Sequence, residues 1–283
     1  MISRVIALTD PSTGNPVWIA EGDDGRPLGT AYVYALAGGG AGELRITVHP
    51  AERRSGVGAR LLREAVGSAT ERGLTALLGQ PVREGSEGEA FCAAAGLRRV
   101  LALTYTRLAL ADWDGREVPA PEGYRIVHWT GRVSGELAET FARSRKAMDD
   151  MPMDDAAWTP DEWDVERLHR VADVVANRGE TLLTTAAIGS DGEIAGFTEV
   201  VVAGDGTGDG QHYGTGVLPE HRGHGLARWL KAAQIDEVRS RFPELDGLLA
   251  DTADSNTAMR RVNDSLGYLP THRSLLYQVD IKE

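Results

Sequence analysis

Two spacings of apolar residues run through this chain, and the places where one gives way to the other outline its elements. Short apolar runs rich in β-branched residues, bounded by Gly, Pro and Asp, predict strands. They cover residues 43–48, 74–78 and 100–108 in the first half, and 124–129, 181–188, 194–203, 211–217, 248–250 and 275–279 in the second. Between them the spacing changes to three and four, which turns one helical face inward. One such face is Val57, Leu61, Leu62, Ala65, Val66 and Ala69; another is Leu226, Trp229, Leu230, Ala233 and Val238. Further helices are predicted over 89–95, 135–148, 159–176 and 256–266, with Gly96 and Gly267 as stops. Thr159-Pro160-Asp161-Glu162 starts the 159–176 helix, with threonine as N-cap and proline in the first turn.

The order strand, turn, helix, strand, short helix, strand occurs twice, and the turns themselves match. Val48-His49-Pro50-Ala51-Glu52-Arg53-Arg54-Ser55-Gly56-Val57-Gly58 is echoed about 170 residues later by Val217-Leu218-Pro219-Glu220-His221-Arg222-Gly223-His224-Gly225-Leu226-Ala227. Each copy ends a strand, turns at proline, and runs Arg-x-x-Gly-x-(Gly/Ala) into an amphipathic helix. Such a turn aims several backbone N–H groups at one point, at the positive end of a helix dipole. That geometry binds a pyrophosphate. The candidate ligands run from Arg222 through Gly223, His224, Gly225 and Leu226 to Ala227, with Arg53, Ser55, Gly56 and Gly58 in the first copy. The glycines permit close backbone approach and the arginines add charge. A Pro- and Gly-containing stretch without sustained periodicity, residues 111–122, reads as the linker between domains 1–110 and 123–283. Only about 40 residues precede the first turn's strand, without a pair of helices, so a truncated first domain is expected.

Composition narrows the partners. A formal charge of −12 argues against a nucleic-acid partner, which needs a basic surface. No apolar run reaches the roughly 20 residues that span a bilayer, and the first residues do not read as a signal peptide. Cys92 is the single cysteine, so no intrachain disulfide forms; with neither a membrane partner nor an export signal, a cytoplasmic monomer or homodimer is expected. No metal-ligand spacing and no Ser/His/Asp nucleophile pattern is present.

The string Val217-x-Pro219-x-x-Arg222-Gly223-His224-Gly225-Leu226-Ala227, followed by Asn256-x-x-Met259-x-x-Val262-Asn263-x-x-Leu266-Gly267-Tyr268, resembles the GNAT superfamily of acyl-coenzyme A-dependent N-acyltransferases. The resemblance covers nearly all of residues 123–283 and the back part of residues 1–110. With Gly196-Phe197-Thr198-Glu199 it looks especially like the tandem-domain acetyltransferases of actinobacteria, a layout shared by mycothiol synthase. It implies an α/β fold of two tandem GNAT-like domains with mixed central sheets. It implies acetyl-coenzyme A as co-substrate, held at both turns, with Val48 and Val217 ending the strands beside them, and no metal. The backbone N–H at Val217 is implied to stabilise the carbonyl oxygen as it becomes an oxyanion, and Asn256 and Asn263 to contact the coenzyme. The superfamily's usual tyrosine acid is replaced here by Asn263 in the second domain and Cys92 in the first, while Asn256 is matched by Gly85. The second domain therefore retains more of the machinery.

Acyl transfer to an amine also needs a base. Glu199 lies in an otherwise apolar strand, where burial would raise its pKa; every second residue of a strand equally faces solvent. His212 and Tyr213 are rivals on the next strand, about ten residues before Arg222, and a bulge decides which of the two faces inward. Met148-Asp149-Asp150-Met151-Pro152-Met153-Asp154-Asp155 joins the two predicted helices 135–148 and 159–176. Its methionines and aspartates suit a cationic small-molecule amine, or make a solvated acidic loop. The expected activity is direct transfer of acetyl to such an amine in a ternary complex. The alternatives are acetylation of an aminothiol conjugate and a coenzyme-binding sensor without turnover.

Overall fold

The strand and helix signals of each half become a mixed sheet with helices laid on it. The computed structural model describes residues 2–10, 14–36, 38–160 and 162–281. By internal contact the chain forms two units: residues 1–103, 153–161 and 273–283 in unit 1, and 104–152 and 162–272 in unit 2.

In unit 1, β1 (Ile2–Thr9), β2 (Pro16–Gly22), β3 (Pro27–Ala35) and β4 (Ala41–Val48) form an antiparallel meander. No helix precedes β4 among the described residues. From the turn after β4, α1 (Val57–Glu71) crosses back so that β5 (Ala76–Gly79) pairs parallel with β4. The short β6 (Val82–Arg83), α2 (Glu87–Ala94) and β7 (Arg98–Ala109) follow, with β7 from residue 104 onward belonging to unit 2. Helix α1 buries Val57, Leu61, Ala65 and Ala69, a straight i, i+4 stripe, against Trp18, Ala31, Val33 and Leu44; Leu62 and Val66 are half-buried at its margin. Helix α2 begins with a reciprocal cap: Glu89 N–H donates to Ser86 Oγ at 3.3 Å, and Gly85 N–H donates to Glu89 Oε2 at 2.5 Å.

Unit 2 continues with β8 (Arg125–Thr130), α3 (Gly135–Ser144), α4 (Val165–Asn177), β9 (Thr181–Ile188), β10 (Ile194–Val202) and β11 (Gly208–Val217). Then come α5 (Leu226–Arg241), β12 (Leu245–Ala253), α6 (Thr257–Ser265) and the start of β13 (Leu269–Asp280), whose residues from 273 onward belong to unit 1. Strands β8 to β11 are antiparallel and β12 runs parallel to β11. On one face, Ala138, Phe141 and Leu168 of α3 and α4 pack on Ile188 and Phe197. On the other, Ala232, Ile235 and Val238 of α5 pack on Val200, Val202, Leu248 and Tyr268.

Several predicted elements differ in extent, β13 among them, and three differ for a visible reason. The helix expected over 159–176 begins at Val165, because Asp164 Oδ1 accepts the Arg167 N–H at 2.7 Å and an ionised cap complements the helix dipole; Asp161 lies outside the described residues. The helix expected over 135–148 is α-helical only to Ser144 and finishes as a 3₁₀ turn, Arg145–Met148, that turns Arg145 inward. Strand β12 is longer than 248–250, since exposed Asp246 and Asp251 interrupt its apolar run. Within residues 111–122, Trp113 is buried and its Nε1–H donates to Asp236 at 2.7 Å.

Candidate active site

The two turns have the same backbone. In unit 2, Gly223 (φ 81°) and Gly225 (φ 80°) are left-handed, and Gly225 is the N-cap of α5. In unit 1, Arg54 (φ 65°) and Gly56 (φ 86°) hold the corresponding places before α1. Neither helix has a side-chain cap. Among the described residues, no protein acceptor takes the N–H groups from Gly223 to Arg228, nor those from Arg54 to Ala59. Six free donors thus meet the positive end of a helix dipole on an exposed turn, twice over. This is the arrangement predicted for a pyrophosphate, and nothing lies within 4 Å of a Cβ built on Gly223, Gly225 or Gly56.

Arg222 is placed otherwise than expected. Its guanidinium donates to Asp150 at 2.5 and 2.8 Å and its Nε to the Val217 carbonyl at 2.9 Å, so its charge is engaged by the acidic segment. The Arg222 guanidinium holds the Asp150 carboxyl below its usual range. Asp150 is therefore occupied within the protein. His224 lies beside Tyr124, and His221 Nδ1 is 2.9 Å from the Tyr124 hydroxyl.

Beside each turn a strand loses its parallel partner. Pairing of β11 with β12 ends at Gln211 and Leu249, and pairing of β4 with β5 ends at Leu44 and Gly79. Leu218 N–H donates to Ala195 O at 2.9 Å. In an antiparallel ladder successive amides alternate in direction, so the Val217 amide faces away from β10, into the gap. His49 N–H donates to Leu28 O at 2.9 Å and directs the Val48 amide likewise. In unit 1 the gap opens into a cleft of about 790 Å³, bordered by Ile46, Val48, Arg53, Gly56, Phe91 and Cys92. Burial pushes the Cys92 thiol up, so it is an apolar wall and not a thiolate.

The base candidates separate. A bulge in the β10/β11 ladder matches Glu199 with Gly214 and Val200 with His212, which leaves Tyr213 unpaired between them. Tyr213 is 44% exposed and its hydroxyl accepts from Arg178 at 2.5 Å, so it lies outside the interior. Glu199 is 2% exposed, and not on the solvent face. Its Oε2 accepts from Arg145 at 2.7 Å and its Oε1 from Thr184 at 3.3 Å. It is thus one half of a buried ion pair and not a lone carboxylate. His212 is partly buried and is the first residue of β11 beyond its last pair with β12. Its Nε2 lies 2.7 Å from the Tyr268 hydroxyl and 3.2 Å from Lys231 Nζ. Burial and the neighbouring Lys231 push His212 well below the ordinary imidazole range.

The two asparagines are structural in place. Asn256 is the N-cap of α6, accepting from Met259 N–H at 3.1 Å. Asn263 is 2% exposed and donates to Thr252 Oγ1 at 3.2 Å, so its amide is turned inward and closed off from solvent. The sequence reading passed over Arg145, Lys231 and Tyr268. One signal was available for Lys231: Ala227, Lys231, Gln234 and Val238 follow i, i+4, i+7, i+11 along α5, a stripe that faces the sheet.

Residues 13–95 match the model of an acetyltransferase (GNAT) domain, and residues 146–268 match that of the acetyltransferase (GNAT) family. A mycothiol acetyltransferase of Clavibacter michiganensis is 31% identical over 257 residues, 88% of this chain and 76% of that protein. A mycothiol acetyltransferase of Nocardia farcinica is 28% identical over 279 residues, 96% of this chain and 85% of that one. A tandem GNAT protein from the clavulanic acid biosynthesis pathway superposes with a TM-score of 0.75 at 26% identity, covering 98% of this chain and 86% of its own.

Proposed function

Since this chain belongs to the GNAT acetyltransferases, with two such domains in tandem, we propose that it moves an acetyl group from acetyl-coenzyme A to a small-molecule amine by direct attack in a ternary complex, with the chemistry in unit 2. The observation that carries this is the exposed turn before α5, where six amides stand without a partner. A diphosphate satisfies those donors without displacing any protein bond. The thioester then lies along the gap beside β11, where the Val217 amide is available to the carbonyl oxygen; a donor fixed before reaction stabilises the developing charge without reorganisation. His212, at the point where the gap begins, is the group that takes the amine's proton. Glu199, with its carboxylate occupied by Arg145, keeps the wall of the site in place. The turn and cleft of unit 1 hold a second coenzyme molecule.

Isothermal calorimetry with acetyl-coenzyme A tests the assignment. The unaltered chain binds at two sites; Gly225→Glu removes one together with turnover, and Gly56→Glu removes the other and leaves turnover. Unchanged binding and rate in Gly225→Glu refute it. A narrower reading, favoured by relatives named mycothiol acetyltransferase at 28–31% identity over most of the chain, is that the amine belongs to an aminothiol conjugate. Comparing thiol-bearing with plain amine acceptors, by the thiol released from coenzyme A, separates the two.

A further inference from the structure

Behind His212 lie two side chains that the transfer described above leaves idle. Lys231 is 2% exposed and Tyr268 1%. Lys231 Nζ lies 3.2 Å from His212 Nε2 and 4.8 Å from the centre of the Tyr268 ring; the Tyr268 hydroxyl is 2.7 Å from the same Nε2. The elements packed around them contribute Gln234 and Thr185, hydrogen-bonded to each other, and His128, 2.9 Å from Thr185 Oγ1. Among the described residues no carboxylate bonds to any member of this group.

Charge is the difficulty here. A buried ammonium without a counter-charge is strongly disfavoured, and a second positive charge 3.2 Å away more so. Lys231 and His212 therefore titrate as a pair that holds at most one extra proton. Burial brings Lys231 down to about 7, and burial pushes Tyr268 up, so that it keeps its proton. The chain has only three lysines (Lys146, Lys231 and Lys282) among 30 lysine and arginine residues. At a buried position facing a histidine it places the cation that can release its proton and not an arginine, which cannot. Counted from the turn, unit 1 has Glu43 and Leu62 where unit 2 has His212 and Lys231; counted from the glycine after the last helix, it has Leu97 where unit 2 has Tyr268.

We propose that His212 and Lys231 act as one base, the proton shed by the acceptor amine entering at Nδ1, the buried ring nitrogen without a protein partner, and leaving from Nε2 to come to rest on Lys231. This rests on the reading of unit 2 as the acetyl-transferring unit. The amine nitrogen attacks the thioester carbonyl carbon, the C–N bond forms, and the C–S bond breaks with its electron pair leaving on sulfur. The nitrogen's proton passes to His212 and on to Lys231, and its return to the thiolate resets the pair. Lys231 works through His212 and is a positioning residue; Tyr268 fixes the ring between them.

The test pairs kinetics with NMR on the full chain. Acetyl transfer to an accepted amine, followed from about pH 5.5 to about 9.5, has an acid limb near 7 in the unaltered protein. Lys231→Met lowers kcat by about 10- to 100-fold and moves that limb, with KM for acetyl-coenzyme A within about twofold; Lys231→Arg is equally impaired. Side-chain ¹⁵N NMR of the three lysines shows one that titrates near 7 and is absent in Lys231→Met, and this reads Lys231 even if a variant is poorly active. Wild-type rate and limb in Lys231→Met, or a Lys231 signal titrating in the ordinary lysine range, overturns the proposal. No transfer by the unaltered chain to any amine sinks the acetyltransferase reading and this one together; transfer that survives Lys231→Met sinks this one alone.

Discussion

Arg145 shows how unit 2 holds a charge inside. Its guanidinium carbon lies 4.3 to 4.8 Å from the ring centres of Trp163, Phe197 and Phe141, and one Nη meets Glu199 at 2.7 Å. Three electron-rich faces and a carboxylate offset much of its lost hydration. Removing the arginine leaves Glu199 buried and alone, so Arg145→Met is expected to lower the stability of the protein by about 3–5 kcal/mol in urea unfolding. The double variant Arg145→Met/Glu199→Leu recovers most of that loss, because no charge then remains buried. A single-variant loss below about 1 kcal/mol would mean that solvent reaches the carboxylate. The apolar strand left the burial of Glu199 open, since every second residue of a strand equally faces solvent. Arg145 was not legible, since it comes from 54 residues away and its own neighbours are polar.

At the level of elements, the turn that joins strand to helix depends on two left-handed residues, and the copies fill them differently. Unit 2 uses Gly223 and Gly225; unit 1 uses Arg54 and Gly56. A side chain in this region costs roughly 1–2 kcal/mol. Arg54→Gly is thus expected to stabilise the protein by up to about 1 kcal/mol after the glycine's greater unfolded-state freedom is subtracted. Gly225→Val is expected to destabilise by about 1–2 kcal/mol or more. Thermal melts of both variants check the pair, and equal shifts of the same sign would refute the backbone argument. The glycine pattern made the turns readable. The start of α4 was misread because Thr159-Pro160 and Asp164 both resemble caps, and the charged side chain at Asp164 won.

For the molecule as a whole, Lys231 makes stability depend on pH. Its folded-state pKa falls from 10.5 to about 7. Between those values the unfolded chain carries the proton and the folded one does not, so folding releases a proton and stability rises with pH. The rise expected from about pH 7 to 10.5 is on the order of 5 kcal/mol. Lys231→Met should flatten it and be the more stable protein at pH 7, as denaturant midpoints taken across that range will show. The same variant is expected to transfer acetyl poorly, which places function and stability in opposition at one residue.

The chain's periodicities and its repeated turn were enough to determine two α/β domains and to single out the two turns proposed to hold a diphosphate. Those features depend on residues close in sequence, whose spacing fixes which side of a helix or strand they occupy. The bulge that turns His212 inward and Tyr213 outward, the arginine that meets Glu199, and the lysine that meets His212 were decided only when the elements packed. Each joins side chains at least 19 residues apart or shifts a strand by one position, and the energy that settles it comes from burial, which no local pattern records.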